Sequence, residues 1–140
     1  MYEADYILRV IAQLGAVLRR VMQRVGEEPD AALEDADEGI RFAGDLDAEL
    51  VDSLTPGGLV MLLGAGGTFD LVRAVGLAVA LRVRGQVLEV CGDADRASRQ
   101  WAAADALLAK ATEVDPAKTA ELLGAFERSV TTDEPEVLGD

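Results

Sequence analysis

The sequence contains no histidine and a single cysteine, Cys91. Without imidazole, the commonest general acid–base group and metal ligand is missing. One thiol allows neither an internal disulfide nor a thiolate metal cluster. Aromatic residues make up 4% of the chain, so the core must be built from Leu, Val and Ala, with Trp101 and three Phe as occasional large fillers. No uncharged apolar run reaches the roughly 18 residues that a spanning helix needs. The opening Met1-Tyr2-Glu3-Ala4-Asp5 is acidic where a secretory leader would be basic, so a cytoplasmic location is expected. Ser53, Ser98 and Ser129 have no histidine to activate them. No enzyme activity, cofactor or metal is expected.

What remains is helix-forming. The chain has 140 residues, the size of one domain, and half of them are hydrophobic. Ala, Leu, Glu and Arg dominate, and these are strong helix formers. The net charge of −13 disfavours nucleic acid, whose binding is driven by Lys and Arg on phosphate. The charge is uneven: residues 1–25 carry four Arg against Glu3 and Asp5, whereas residues 26–53 carry Arg41 alone against eleven acids. A basic first helix and an acidic second segment can attract each other within the fold, and the other acids read as a solvated face. Neither Glu34-Asp35 nor Asp37-Glu38 lies in a calcium-type loop, and Glu34 with Glu38 reads as surface charge.

Residues 5–25 place Ile7, Ile11, Leu14, Leu18, Val21 and Val25 on one face of a helix, with Arg9, Gln13, Arg20 and Arg24 opposite. Gly26 stops it and Pro29 restarts the chain. Residues 29–43 form a second helix on Leu33, Ala36, Ile40 and Ala43, and Leu46 to Leu54 a short third. Thr55-Pro56 reads as an N-cap with proline in the first turn. Residues 93–114 form an unbroken Ala-rich helix on Ala97, Trp101, Ala104, Leu108 and Ala111. Asp115-Pro116 then starts a last helix, with Ala120, Leu123, Phe126 and Val130 inward. Residues 1–130 are thus one helical domain and residues 131–140 an acidic, flexible tail.

The middle of the chain admits two readings. Leu59–Leu63 as a strand, Gly64-Ala65-Gly66-Gly67 as a turn and the following helix would build a nucleotide site, with Val87–Val90 as a second strand and Glu89 near a ribose. Against this, Phe69 stands where a dinucleotide turn needs a small residue. Two parallel strands also cannot stand alone, and no others are found. The favoured reading is a short helix from Pro56 to Leu63, a glycine break, an N-cap at Thr68 and a long helix to Cys91, with Cys91 a buried small hydrophobe. The fold class expected is all-α, an antiparallel arrangement of five to seven helices.

Leu81, Gly85 and Leu88 share a face of the long helix, Gly92 ends it, and Ala97, Trp101 and Ala104 follow on the next. Gly85 and Ala97 let the two helices approach closely while Trp101 fills the gap beside them. This stretch, residues 77–116, resembles a tetratricopeptide-type helical hairpin. It departs from that pattern at Arg84, where the family has Leu, and in its longer second helix. The resemblance implies a concave inner face at Val79, Arg82, Gln86 and Glu89 that receives a protein or peptide, with Arg82 and Gln86 holding a carboxylate or backbone. The alternative is an exposed polar face. A second resemblance lies at the start: Asp5-Tyr6-Ile7-Leu8-Arg9, Ile11 and Gln13-Leu14 look like the opening of a small uncharacterised bacterial helical family beginning D-Y-I-[LM]-R-x-I-x-Q-L, which carries no established activity.

The function expected is therefore a protein-interaction or scaffold module, with a homodimer through Ile7, Ile11, Leu14, Leu18 and Val21 as one mode of assembly. Two alternatives stand beside it. One is a nucleotide- or dinucleotide-binding protein using Gly64–Gly67. The other is a peripheral membrane protein using residues 6–25 as a basic amphipathic helix, which the net charge of −13 opposes on anionic lipid.

Overall fold

The computed structural model describes residues 2–134. It is all-α, with no strand and seven helices among the described residues. These are α1 (Tyr2–Arg24), α2 (Pro29–Gly44), α3 (Ala48–Ser53), α4 (Pro56–Leu63), α5 (Leu71–Val90), α6 (Ala94–Val114) and α7 (Pro116–Thr131). The breaks have local causes. Thr55, Asp70, Asp93 and Asp115 each accept a hydrogen bond on the side chain from the amide three residues on, at 3.0–3.2 Å. Pro56 and Pro116 sit in the first turn, where a missing amide costs nothing.

Helix α5 is the axis of the molecule, in contact with α1, α2, α6 and α7. Helix α2 runs antiparallel to it, since Gly44 lies on Leu77 at one end and Cys91 beside Pro29 at the other. Helix α6 is antiparallel on another side, with Arg82 near Asp105 and Arg84 on Gln100. Helix α1 packs on α2, α5 and α7, and α4 lies on α6. The core is aliphatic, with Phe126 as its one fully buried aromatic side chain among the described residues.

Several expectations are corrected. The segment before the glycine turn and Val87–Val90 are both helical, so the strand–turn–strand frame of a nucleotide site is not built. Helix α5 starts at Leu71 with Asp70, not Thr68, as its cap, because the Asp70 carboxylate reaches the Arg73 amide. It ends at Val90, leaving Cys91 exposed rather than buried. Helix α7 turns Thr119, Leu122, Ala125, Phe126 and Ser129 inward while Ala120 faces solvent, a rotation that small residues on both sides made hard to read. It also includes Thr131, and residues 135–140 of the expected tail lie outside the described residues.

Candidate functional site

The face of α1 expected to self-associate is used up inside the chain. Ile7, Ile11, Leu14, Leu18 and Val21 are all at most 5% exposed, in the core that α1 shares with α2, α5 and α7. A dimer through them, or a helix lying in a membrane interface on them, would first have to open that core. The opposite stripe is tied down in part. Arg24 meets Asp35 at 2.9 Å and Arg20 meets Glu38 at 3.4 Å, so basic α1 and acidic α2 pair internally. Among the described residues no helix is long and apolar enough to cross a membrane, and no group of His, Cys, Asp and Glu could hold a metal ion.

The hairpin of α5 and α6 builds two features on opposite sides of one close contact. A Cβ on Gly85 would run into the Trp101 ring, whose Cδ1 lies 2.8 Å from that position. Only glycine lets the indole lie on the α5 backbone, and its Nε1 donates to the Arg82 carbonyl at 3.4 Å. On the side facing α1 and α7, Val79, Arg82, Val83 and Gln86 of α5 meet Met22 of α1 and Glu127, Val130 and Thr131 of α7 around an open groove of about 470 Å³. Three of the four residues expected to line a groove are there. Glu89 is exposed one turn further along and does not line it. Arg82 is partly engaged by Asp105 at 3.8 Å and keeps its side chain 40% exposed.

The second feature was not foreseen. Arg84 is 2% exposed and sits in a ring of polar partners from three other helices. Its Nη1 and Nη2 donate to the two oxygens of Asp52 on α3 at 2.6 and 3.0 Å, a fork-on-carboxylate pair. Its Nε donates to Asp37 on α2 at 2.8 Å, and Nη1 also donates to Gln100 on α6 at 2.8 Å. Arg96 and the Gln100 amide close the ring on Asp52 at 3.0 and 2.9 Å. Burial would push the Asp52 carboxyl up. The hydrogen bonds and charges of Arg84 and Arg96 outweigh it and hold the carboxyl below the usual aspartate value. Burial likewise works against the Arg84 charge, and Asp52 and Asp37 overcome it, so its affinity for the proton rises. Every oxygen of Asp52 is engaged, which makes the cluster a clasp for α2, α3, α5 and α6 rather than a reactive centre. The signal in the sequence was Arg84 itself, standing in an apolar helix where the hairpin pattern has Leu.

The remaining nucleophiles are committed or apart. Ser129 donates to the Ile11 carbonyl at 3.0 Å, and Ser53 to the Leu50 carbonyl at 2.6 Å. No protein-family model, curated protein or solved structure matches the chain.

Proposed function

We propose that the chain is a non-enzymatic, cytoplasmic interaction module of tetratricopeptide-like hairpin design, and that the groove between α1, α5 and α7 is where it holds a partner. The observation that carries this is the groove itself: Met22, Val79, Val83 and Val130 give it an apolar lining, and Arg82 stands at its edge with its side chain 40% exposed. An apolar pocket edged by a few charged and polar groups, here Arg82, Gln86 and Glu127, is the usual form of a peptide anchor site. The partner that fits is a peptide carrying one large aliphatic or aromatic side chain with a carboxylate beside it. The first is desolvated on the valines and methionine, and the second meets Arg82 and Gln86.

A random peptide library displayed on phage and selected on the immobilised chain should enrich for that pairing. Enriched peptides should bind at least tenfold more weakly to Arg82→Glu, and more weakly again to Arg82→Glu with Met22→Ser. Failure to enrich any sequence, or binding that both variants leave unchanged, would refute the groove.

A further inference from the structure

The chain leaves α7 on the rim of the groove between α1, α5 and α7. Thr131, the last residue of α7, lines that groove. Thr132 turns to extended backbone, with φ −147° and ψ 150°. Its hydroxyl accepts the Glu134 amide at 3.2 Å, so the chain bends soon after the helix ends. From Thr132 the sequence reads TDEPEVLGD, with four acids, no Lys or Arg, and one apolar pair, Val137-Leu138. Residues 135–140 lie outside the described residues.

We propose that the Val137-Leu138 segment folds back into this groove and holds it until a partner displaces it. Leu138 would lie on Met22, Val79 and Val83, with a neighbouring carboxylate at Arg82. The proposal rests on the groove being a peptide site, and it adds the regulation of that site. Reach permits the contact. Leu138 is seven residues past Thr131, a stretch that spans at most about 25 Å. The α5 lining from Val79 to Gln86 runs about 10 Å along its helix, which leaves slack for the bend. The residue pattern fits as well. Side chains two apart on an extended peptide face the same way. Laid extended, Leu138 would have a carboxylate on each flank, from Glu136 and Asp140. One large aliphatic group beside an acid is what the valines, Met22 and Arg82 suit. Charge and tethering agree. Arg82 is the one cation among the lining residues. A separate acidic segment meets the net charge of −13 on approach. The tail is already attached, and a short tether gives it an effective concentration on the order of millimolar.

The test is NMR of the full chain carrying labelled methionine methyl groups, with no peptide present. Leu138→Ser should shift the Met22 resonance and leave that of Met61, 77% exposed on α4, in place. Its helical circular dichroism should match wild type, since residue 138 lies beyond α7. The Met22 resonance of the wild type should not move on tenfold dilution, because the contact is within one chain. Peptides enriched on the groove should bind Leu138→Ser at least threefold more tightly than wild type, since the tail no longer competes. A Met22 resonance unmoved by Leu138→Ser, or one that moves on dilution, would overturn the proposal. So would equal peptide binding by the two chains, and if that binding still needed Arg82 the groove itself would stand. A Met22 shift in a chain that enriches no peptide would support the tail's place and end the partner reading alone.

Discussion

Helices α1 and α5 are of similar length and both feed the core, yet they solve different problems. Helix α1 has one inward face and sets Arg9, Arg20 and Arg24 toward water or the acids of α2, with Arg19 on the Ser129 carbonyl of α7. Between Ala74 and Leu88 of α5, every residue but Arg82 and Gln86 is buried. A helix with one wet side can carry charge at no great cost. A helix surrounded by four others can carry charge only where each neighbour supplies a partner. Arg84 is that case, and the difference sets the size of every effect expected below.

The largest is Arg84→Ala. It leaves Asp52, Asp37 and Gln100 facing an empty place, and removing one member of a buried ion pair costs about 3 to 5 kcal/mol. Urea unfolding followed by circular dichroism reads it. A loss no greater than that of a surface variant would mean that the cluster is not desolvated as its geometry indicates. The same cluster gives the chain a pH dependence. Because the Asp52 carboxyl is held below its usual value when folded, its stabilising contribution is complete above the unfolded value near 4. It is lost as pH falls from there through the folded value. Asp52→Asn should be less stable than wild type at neutral pH, and the gap should narrow as the solution is acidified.

The same contrast explains what could be read beforehand. Helix α1 was legible to within three residues, and its buried set Ile7, Ile11, Leu14, Leu18 and Val21 correctly, because a single wet side writes its period into the sequence. Pro56–Leu63 and the start at Pro116 were legible from cap and proline chemistry. The faces of α5 were not, since a helix apolar all round has no period to read. Val79, Arg82 and Gln86 came from the hairpin resemblance instead, and Glu89 came with them wrongly. Asp37 and Asp52 looked like two more of the surface acids in residues 26–53, and nothing local distinguishes an acid that waits for a buried arginine 32 or 47 residues away. The inward face of α1 was right as a face and wrong as a dimer seam, because the sequence does not say that α2, α5 and α7 cover it.

An intermediate effect compares two crossings that each depend on glycine. A Cβ on Gly15 of α1 would meet the Ser129 side chain and come within 2.8 Å of its backbone oxygen on α7. Ser129 is held there by its bond to the Ile11 carbonyl and by Arg19 on its own carbonyl at 3.0 Å. A Cβ on Gly85 meets the Trp101 ring, three atoms of which lie at 3.0 Å or less from that position, and the ring is half-buried and hydrogen-bonded to the Arg82 carbonyl. Overpacking costs about 1 to 3 kcal/mol, against which alanine gains roughly 1 kcal/mol of helix propensity. Gly15→Ala should therefore be clearly destabilising. Gly85→Ala should be destabilising too, by less because a half-buried side chain rather than a backbone has to move, while shifting the Trp101 emission maximum. The reverse order in thermal melts would show that the indole, not the α7 backbone, is the rigid partner.

The smallest effect belongs to the ion pairs on the wet side of α1, and it is the control for the largest. Arg20 is 48% exposed and reaches Glu38, 57% exposed, at 3.4 Å, with Asp35 at 3.6 Å. Such a pair gains little over its hydration and must immobilise two long side chains, so its net worth is about 0 to 1 kcal/mol. Arg20→Ala should sit in that range, and the coupling between Arg20→Ala and Glu38→Ala in a double-mutant cycle should shrink further in high salt. Arg84 and Arg20 are both arginines bonded to acids from the α2–α3 stretch, so chemistry does not separate them. If their alanine variants proved equally costly, burial would not be what sets the strength of the α5 clasp, and pairing alone would have to account for both.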